Sequence, residues 1–240
     1  MLVRLNKYIA QSGTSSRRAA DRLISDGKVR VNGRIVRTLG QKINSDKDVV
    51  EVEGRTIQLP EDKVYLMLHK PSGCLVTRKD PYHRPTVMDL VPPLASGIFP
   101  VGRLDLDSEG LLLLTNDGEL AHRLLHPRYG VKKLYRIKVK DRPAPAILDT
   151  LRQGIYLDGK KTAPARITPV SLGDRHSWLD VEIHEGRKRE VRRLFESQGY
   201  PVLSLKRLQF AGLSLERLAP GAWRVLSPAE IRALKKQAGL

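Results

Sequence analysis

Apolar residues recur at helical spacing at the start of the chain, where Leu5, Ile9 and Ala10 share a face before Ser12-Gly13 ends the run. Thr14-Ser15-Ser16 supplies a cap for a second short helix carrying Ala19, Ala20, Leu23 and Ile24. The period then changes to strict alternation. Val29-Arg30-Val31 and Arg34-Ile35-Val36 flank Asn32-Gly33, the dipeptide best suited to a type I′ hairpin turn. Arg30 and Arg34 are expected to point away from Val29, Val31 and Ile35. Asp48 to Glu53 alternates as a further strand, and the polar stretch 54–62, which includes Pro60, reads as a linker. The domain boundary is therefore placed near residue 60.

Past that boundary, strand patterns at Val64–Leu68, Gly110–Leu114, Leu134–Val139, Trp178–Ile183 and Pro201–Leu205 alternate with helical patterns. The helices are expected at Gly118–Leu125, Pro145–Gln153, Lys188–Ser197 and Pro228–Gln237. The last is the best marked, with Ser227 as cap, Pro228 in the first position and Glu230 completing a capping box. The pattern predicts an α+β fold: a small helix-helix-hairpin domain over residues 1–60, then a mixed domain over residues 61–240.

Charge narrows the function. In 240 residues, 43 Lys and Arg oppose 26 Asp and Glu, a formal net charge of +17. Such an excess suits a polyanion, because Lys and Arg gain by replacing the counterions condensed on nucleic acid phosphates. It is concentrated early: up to Arg37, nine basic residues face only Asp21 and Asp26. A single cysteine, Cys74, excludes an internal disulfide and a cysteine metal cluster, and agrees with a reducing, cytoplasmic setting. No apolar run approaches the ~18 residues of a membrane span. Residues 1–10 carry Arg4, Asn6 and Lys7 where a signal peptide is apolar. Phosphate-binding loops of the nucleoside triphosphate and dinucleotide kinds are missing, so no such cofactor is supported.

Three segments can carry chemistry. Asp105, Asp107 and Glu109 precede a run of four leucines, and with Gly110 they match the first half of a calcium loop. The match fails beyond it, since Leu111–Leu114 fill the ligand positions and Asn116 stands where the closing Glu belongs; taken alone, the segment reads as a solvated turn before a buried strand. His122 and His126 are four apart on a helix, but Arg123 replaces the Glu of a zinc helix, so a capping or phosphate-facing role is expected. Third, five of the seven residues from Arg187 to Arg193 are basic, with Arg189, Arg192 and Arg193 on one helical face. Charges so crowded require an opposing anion.

Together, Gly102–Gly118 (G-R-L-D-x-D-S-x-G-L-L-L-L-T-N-D-G), His126–Tyr135 (H-P-x(5)-K-x-Y) and E-G-R-x-R-x-V-R-R from Glu185 resemble the RsuA/RluB-type ribosomal RNA pseudouridine synthases. Lys70-Pro71-Ser72-Gly73 and Arg84-Pro85-Thr86-Val87 are similar to two further motifs of the family. The N-terminal module resembles the small alpha-L domain shared with a small-subunit ribosomal protein. The four-leucine form and the His-Pro that follows look closer to the large-subunit RluB branch, with the small-subunit branch as the alternative.

The resemblance implies a largely antiparallel catalytic sheet, isomerisation of uridine to pseudouridine in ribosomal RNA, no cofactor and no metal. It makes Asp105 the catalytic carboxylate, as nucleophile on the sugar or as base at its second carbon. Tyr135 would lie against the target base, and Arg192 would hold Asp105 ionised in a buried setting. Arg103 is expected to fill the space of a flipped uridine in a structured stem-loop. Arg17, Arg18, Lys28, Arg30, Arg34, Arg187, Arg189 and Arg193 are expected on the RNA. No obligate protein partner is evident. Glu190 and Leu194 depart from the family's more usual Gln and Met, and Glu190 would set an anion at the helix start facing RNA. The competing class is a noncatalytic RNA-binding or ribosome-assembly protein, which needs none of Asp105, Tyr135 and Arg192 in combination.

Overall fold

A computed structural model of the chain describes residues 1–60, 62–92 and 97–240. Backbone contacts divide it into two units, one built on Met1–Val64 and one on Tyr65–Pro92, Pro100–Leu114 and Glu119–Leu240, with the turn Thr115–Gly118 falling in the first.

In the first unit the helices Leu5–Gln11 and Arg17–Ser25 form where the apolar spacing places them. Ser16 Oγ accepts from the Ala19 amide at 3.2 Å and caps the second helix, satisfying a donor that the helix itself cannot pair. Four short strands follow in the spatial order Arg34–Val36, Val29–Val31, Val50–Val52, Arg55–Ile57. Their inner faces bury Val29, Val31, Val36, Val50 and Val52 against Leu5, Tyr8, Ile9 and Ile24.

Two details differ from the sequence pattern. Asn32 and Gly33 do take positive φ, 51° and 77°, as a type I′ turn requires. Pairing then sets Arg30 opposite Ile35 and Val31 opposite Arg34. Directly paired residues share a face, so Ile35 sides with Arg30 and is 53% exposed, and Arg34 sides with Val31. A two-residue turn reverses inside and outside between the strands, which alternation within each strand does not reveal. Nor is the stretch after Glu53 a plain linker. Glu53 and Gly54 repeat the positive-φ turn (49° and 78°), and Arg55–Ile57 returns as a fourth strand on Val50–Val52. Glu61, also assigned to that linker, lies outside the described residues.

The second unit is organised on a largely antiparallel sheet. Its main path is Arg166–Leu172, His176–Ile183, Lys133–Lys140, Val202–Phe210, Glu109–Thr115, Tyr65–Lys70 and Trp223–Val225. The Lys133–Lys140 strand alternates cleanly, burying Lys133, Tyr135, Ile137 and Val139. Leu148 and Leu151 of helix Pro145–Gln153 and Val191, Leu194 and Phe195 of helix Glu190–Glu196 join the same apolar cluster. The strand Glu109–Thr115 runs parallel to Val202–Phe210, with Glu109 and Gly110 against Lys206 and Arg207. Gly110 has φ of +115°, and a Cβ there would stand 2.3 Å from the Arg207 carbonyl oxygen, so only glycine permits this approach.

Candidate active site

The strand Glu109–Thr115 positions the acidic loop that precedes it. Lys70 ends the fully buried strand Tyr65–Lys70, and its ammonium donates to the carbonyls of Pro71 (2.9 Å), Leu106 (3.3 Å) and Ser108 (2.6 Å). Burial pulls the Lys70 pKa below its ordinary value, and the nearby loop carboxylates oppose that fall. The Ser108 amide donates to the Asp105 carbonyl at 3.1 Å, and the Gly73 amide to the Leu106 carbonyl at 2.8 Å. The loop is thus held by its backbone, which leaves its carboxylates free to pair with nearby cations.

Those cations are distributed otherwise than the sequence suggested. Arg192 is buried, and it donates to the Val202 carbonyl (2.8 Å) and pairs with Asp107 (2.8 Å), not with Asp105. Arg189 approaches Asp105 at 3.6 Å, Asp107 at 4.0 Å and Glu196 at 3.8 Å. The reason is where the helix starts. It begins at Glu190 rather than Lys188, and Arg189 caps it in the left-handed region with φ of 52°. That turns its side chain back over the loop, while Arg192 one turn later is anchored by Val202. Nor is Asp105 deeply buried; its side chain is 37% exposed.

Glu190 is the second correction. It does not face outward as an anion but is 4% exposed, and its Oε2 accepts from the Arg187 amide at 2.9 Å. Burial and the neighbouring Glu185 carboxyl push its pKa up to about 8. Glu185 in turn accepts from the Ala163 amide (2.8 Å) and Arg187 Nε (3.1 Å), so it carries the charge of the pair. Arg187 also donates to the Lys160 and Lys161 carbonyls at 3.0 and 2.6 Å, which commits its guanidinium to the protein.

A cavity of about 380 Å³ opens among these groups, lined by Asp105, Tyr135, Arg189 and Arg192, with Arg103 and Lys188 also contributing. The structure therefore brings together Asp105, Tyr135, Arg103, Arg187, Arg189 and Arg192. Arg193 instead pairs with Asp158 at 2.7 Å. Arg17, Arg18, Lys28, Arg30 and Arg34 are all exposed on the first unit, Lys28 pairing with Glu53 at 3.0 Å. Sequence reasoning missed two buried cations that line the cavity, Lys133 and Arg207. Lys133 donates to the Val131 and Glu185 carbonyls (3.1 and 3.3 Å), and burial beside Arg207 lowers its pKa to about 8. Lys133 stood in the quoted K-x-Y motif, whereas Arg207 lies in a strand with no motif to mark it.

Two other motifs have structural uses. His126 Nδ1 accepts from the Arg128 amide at 3.2 Å and caps the turn Pro127–Tyr129. Thr115 and Asn116 are buried, and they bond the backbone of Val64 and Asp62 at 2.6 to 3.0 Å.

A carboxylate on a braced loop, a tyrosine and several arginines thus stand together around one cavity. The chain belongs to the RNA pseudouridylate synthase family, whose pattern matches residues 64–197. An S4 domain pattern matches residues 3–64. Over 234 residues it is 44% identical to the ribosomal large subunit pseudouridine synthase B of Bacillus subtilis, spanning 97% of this chain and 95% of that protein. Over 242 residues it is 42% identical to an uncharacterized RNA pseudouridine synthase of Aquifex aeolicus, spanning 100% and 96%. A solved structure described as a pseudouridylate synthase superposes with a TM-score of 0.70 at 33% identity, covering 97% of this chain and 99% of that one.

Proposed function

We propose that the protein isomerises a uridine of large-subunit ribosomal RNA to pseudouridine in the cytoplasm, with Asp105 as the catalytic carboxylate. The observation that carries the site is Asp105 at the mouth of a cavity walled by Tyr135. The similarity to a large-subunit synthase over nearly the full length of both chains supports the substrate. The reaction balances without a cofactor. The N1–C1′ bond breaks and its electron pair leaves with the base, the base turns, C5 bonds to C1′, C5 loses its proton and N1 gains one.

Asp105 meets the sugar, either as nucleophile at C1′ or as base at C2′, and Arg189 at 3.6 Å supplies the facing positive charge. Arg192 acts one step removed, fixing the loop through Asp107 and Ser108, whose hydroxyl accepts at 3.4 Å. Tyr135 lies against the base and assists removal of the C5 proton. A uridine in a stem-loop must be extruded to enter, at an unstacking cost of roughly a few kcal/mol. Arg103, exposed at the cavity rim, occupies the space it leaves. The exposed cations of the first unit, Arg17, Arg18, Lys28, Arg30 and Arg34, place the RNA through its phosphates, and Lys188 and Arg193 of the second unit add to that attraction. No protein partner is required for this chemistry.

The test is to incubate the purified protein with large-subunit and small-subunit ribosomal RNA transcripts and map pseudouridine by mass. The expected outcome is one modified uridine in the large-subunit transcript. Modification confined to the small-subunit transcript overturns the substrate, and modification of neither overturns the function.

A further inference from the structure

Arg207 is an arginine with an unspent donor. It is 3% exposed, its Nε donates to the Leu111 carbonyl at 2.7 Å, and its guanidinium sits 4.9 Å from the centre of the Phe210 ring. Its buried Nη2 has no hydrogen-bond partner among the described residues. A buried charged donor left unpaired costs more than a neutral one, and native structures rarely retain such a group without a use for it.

Position indicates the use. Arg207 stands directly opposite Tyr135 on the antiparallel neighbour strand and directly opposite Gly110 on the parallel one. Side chains directly opposed across strands share a face, so Arg207 and Tyr135 point to the same side of the sheet, and both line the cavity into which Asp105 faces. Leu104, Ile183 and Leu205 supply its apolar lining. Such surroundings suit a neutral base better than a phosphate, whose burial carries a heavy desolvation cost. Phosphates have the exposed Lys188 at the rim.

We propose that Arg207 donates through Nη2 to the O4 carbonyl of the uracil held in the cavity and thereby selects uridine over cytidine. Cytosine presents an amino donor where uracil presents O4. Donor would then face donor, and the buried Nη2 would stay without an acceptor. The contact also strengthens during the reaction. When the N1–C1′ bond breaks, the departing base carries the electron pair, and part of that charge resides on O4. A turn of the base about its N3–C6 axis exchanges O4 and O2, so the same donor meets a carbonyl oxygen before and after the turn.

This inference rests on the proposed isomerisation at Asp105, and the test separates the two. Single-turnover rates are measured for the wild type and Arg207→Gln on RNA carrying uridine, 4-thiouridine or 2-thiouridine at the modified position. Sulfur is a poor acceptor. The wild type should lose about tenfold to a hundredfold on 4-thiouridine, the range of a hydrogen bond from a charged donor, and less on 2-thiouridine, whose sulfur meets the donor only after the turn. Arg207→Gln should be slow on uridine but show no further loss on 4-thiouridine. A purely structural role for Arg207 would leave the thio effect unchanged, so an equal 4-thiouridine penalty in wild type and variant overturns the proposal. Should the variant fail to fold, the wild type alone decides, since equal rates on uridine and 4-thiouridine, or a loss confined to 2-thiouridine, also overturn it. Failure of the wild type to convert ordinary uridine refutes the isomerisation itself.

Discussion

Glu190 gives a prediction about stability that is independent of RNA. Its carboxyl has an ordinary pKa of 4.5 and one of about 8 in the fold, so the folded chain holds a proton that the unfolded chain releases. By linkage, stability falls with rising pH wherever the folded state binds more protons. The contribution is fully present below pH 4.5 and is lost progressively as pH rises from 4.5 through about 8. At about 1.4 kcal/mol per pH unit, the loss between pH 4.5 and 7 has an upper bound of about 3 kcal/mol. Relaxation around the carboxyl and entry of water reduce it to roughly 1 to 2 kcal/mol.

Glu190→Gln keeps an oxygen for the Arg187 amide and offers an amide donor to Glu185, without a group that titrates. Glu185, Arg187, Lys133 and Arg207 remain in the variant, so subtracting the two proteins reports the Glu190 carboxyl together with its electrostatic effect on Glu185 and Lys133. Denaturant unfolding followed by the fluorescence of the two tryptophans, Trp178 and Trp223, between pH 5 and 8 measures it. The variant should match the wild type near pH 5 and exceed it by about 1 to 2 kcal/mol at pH 7. Parallel curves across that range would refute the buried, protonated Glu190.

Gly110→Ala should destabilise the second unit by roughly 3 kcal/mol, because its Cβ meets the Arg207 backbone and its φ is unsuited to alanine; a shift in the denaturation midpoint measures this. Arg189→Ala should lower single-turnover rate more than RNA affinity, whereas Arg192→Ala should lower both rate and thermal stability, since it removes the buried donor to the Val202 carbonyl and the tie to the loop at Asp107. Equal stability in the two variants would contradict that division. Neutralising Arg17 and Arg18 together should weaken RNA binding and leave the saturating rate unchanged. The slope of log K against log salt should flatten by roughly 0.7 to 0.9 for each phosphate no longer neutralised, which filter binding over a salt series measures.

Much of this architecture was legible because local signals agreed with the fold. Helices Gly118–Leu125 and Pro145–Gln153 span the residues their apolar spacing indicates, and Pro228–Gln237 begins at its Ser227 and Glu230 capping box. The strand Arg166–Leu172 went unread because it is mostly exposed and carries Pro169, so it lacks an alternating apolar face. Arg55–Ile57 was hidden by its polar composition, and only the Glu53-Gly54 turn marks it. At the site, motifs identified which residues gather, but partner choice depended on side-chain direction. A helix start shifted by two residues gave Asp105 to Arg189 and Asp107 to Arg192. The inward turn of Glu190 and the Arg207 Nη2 left without a partner among the described residues follow from burial, which no local period encodes.

Whether Asp105 performs the chemistry on a bound uridine is decided by single-turnover conversion of a large-subunit ribosomal RNA fragment by Asp105→Asn, with RNA affinity measured in parallel. No detectable pseudouridine is expected, together with an affinity within a few-fold of the wild type, because the carboxylate contributes little to phosphate binding. Pseudouridine formed by the variant at a rate near that of the wild type would contradict the assignment of Asp105.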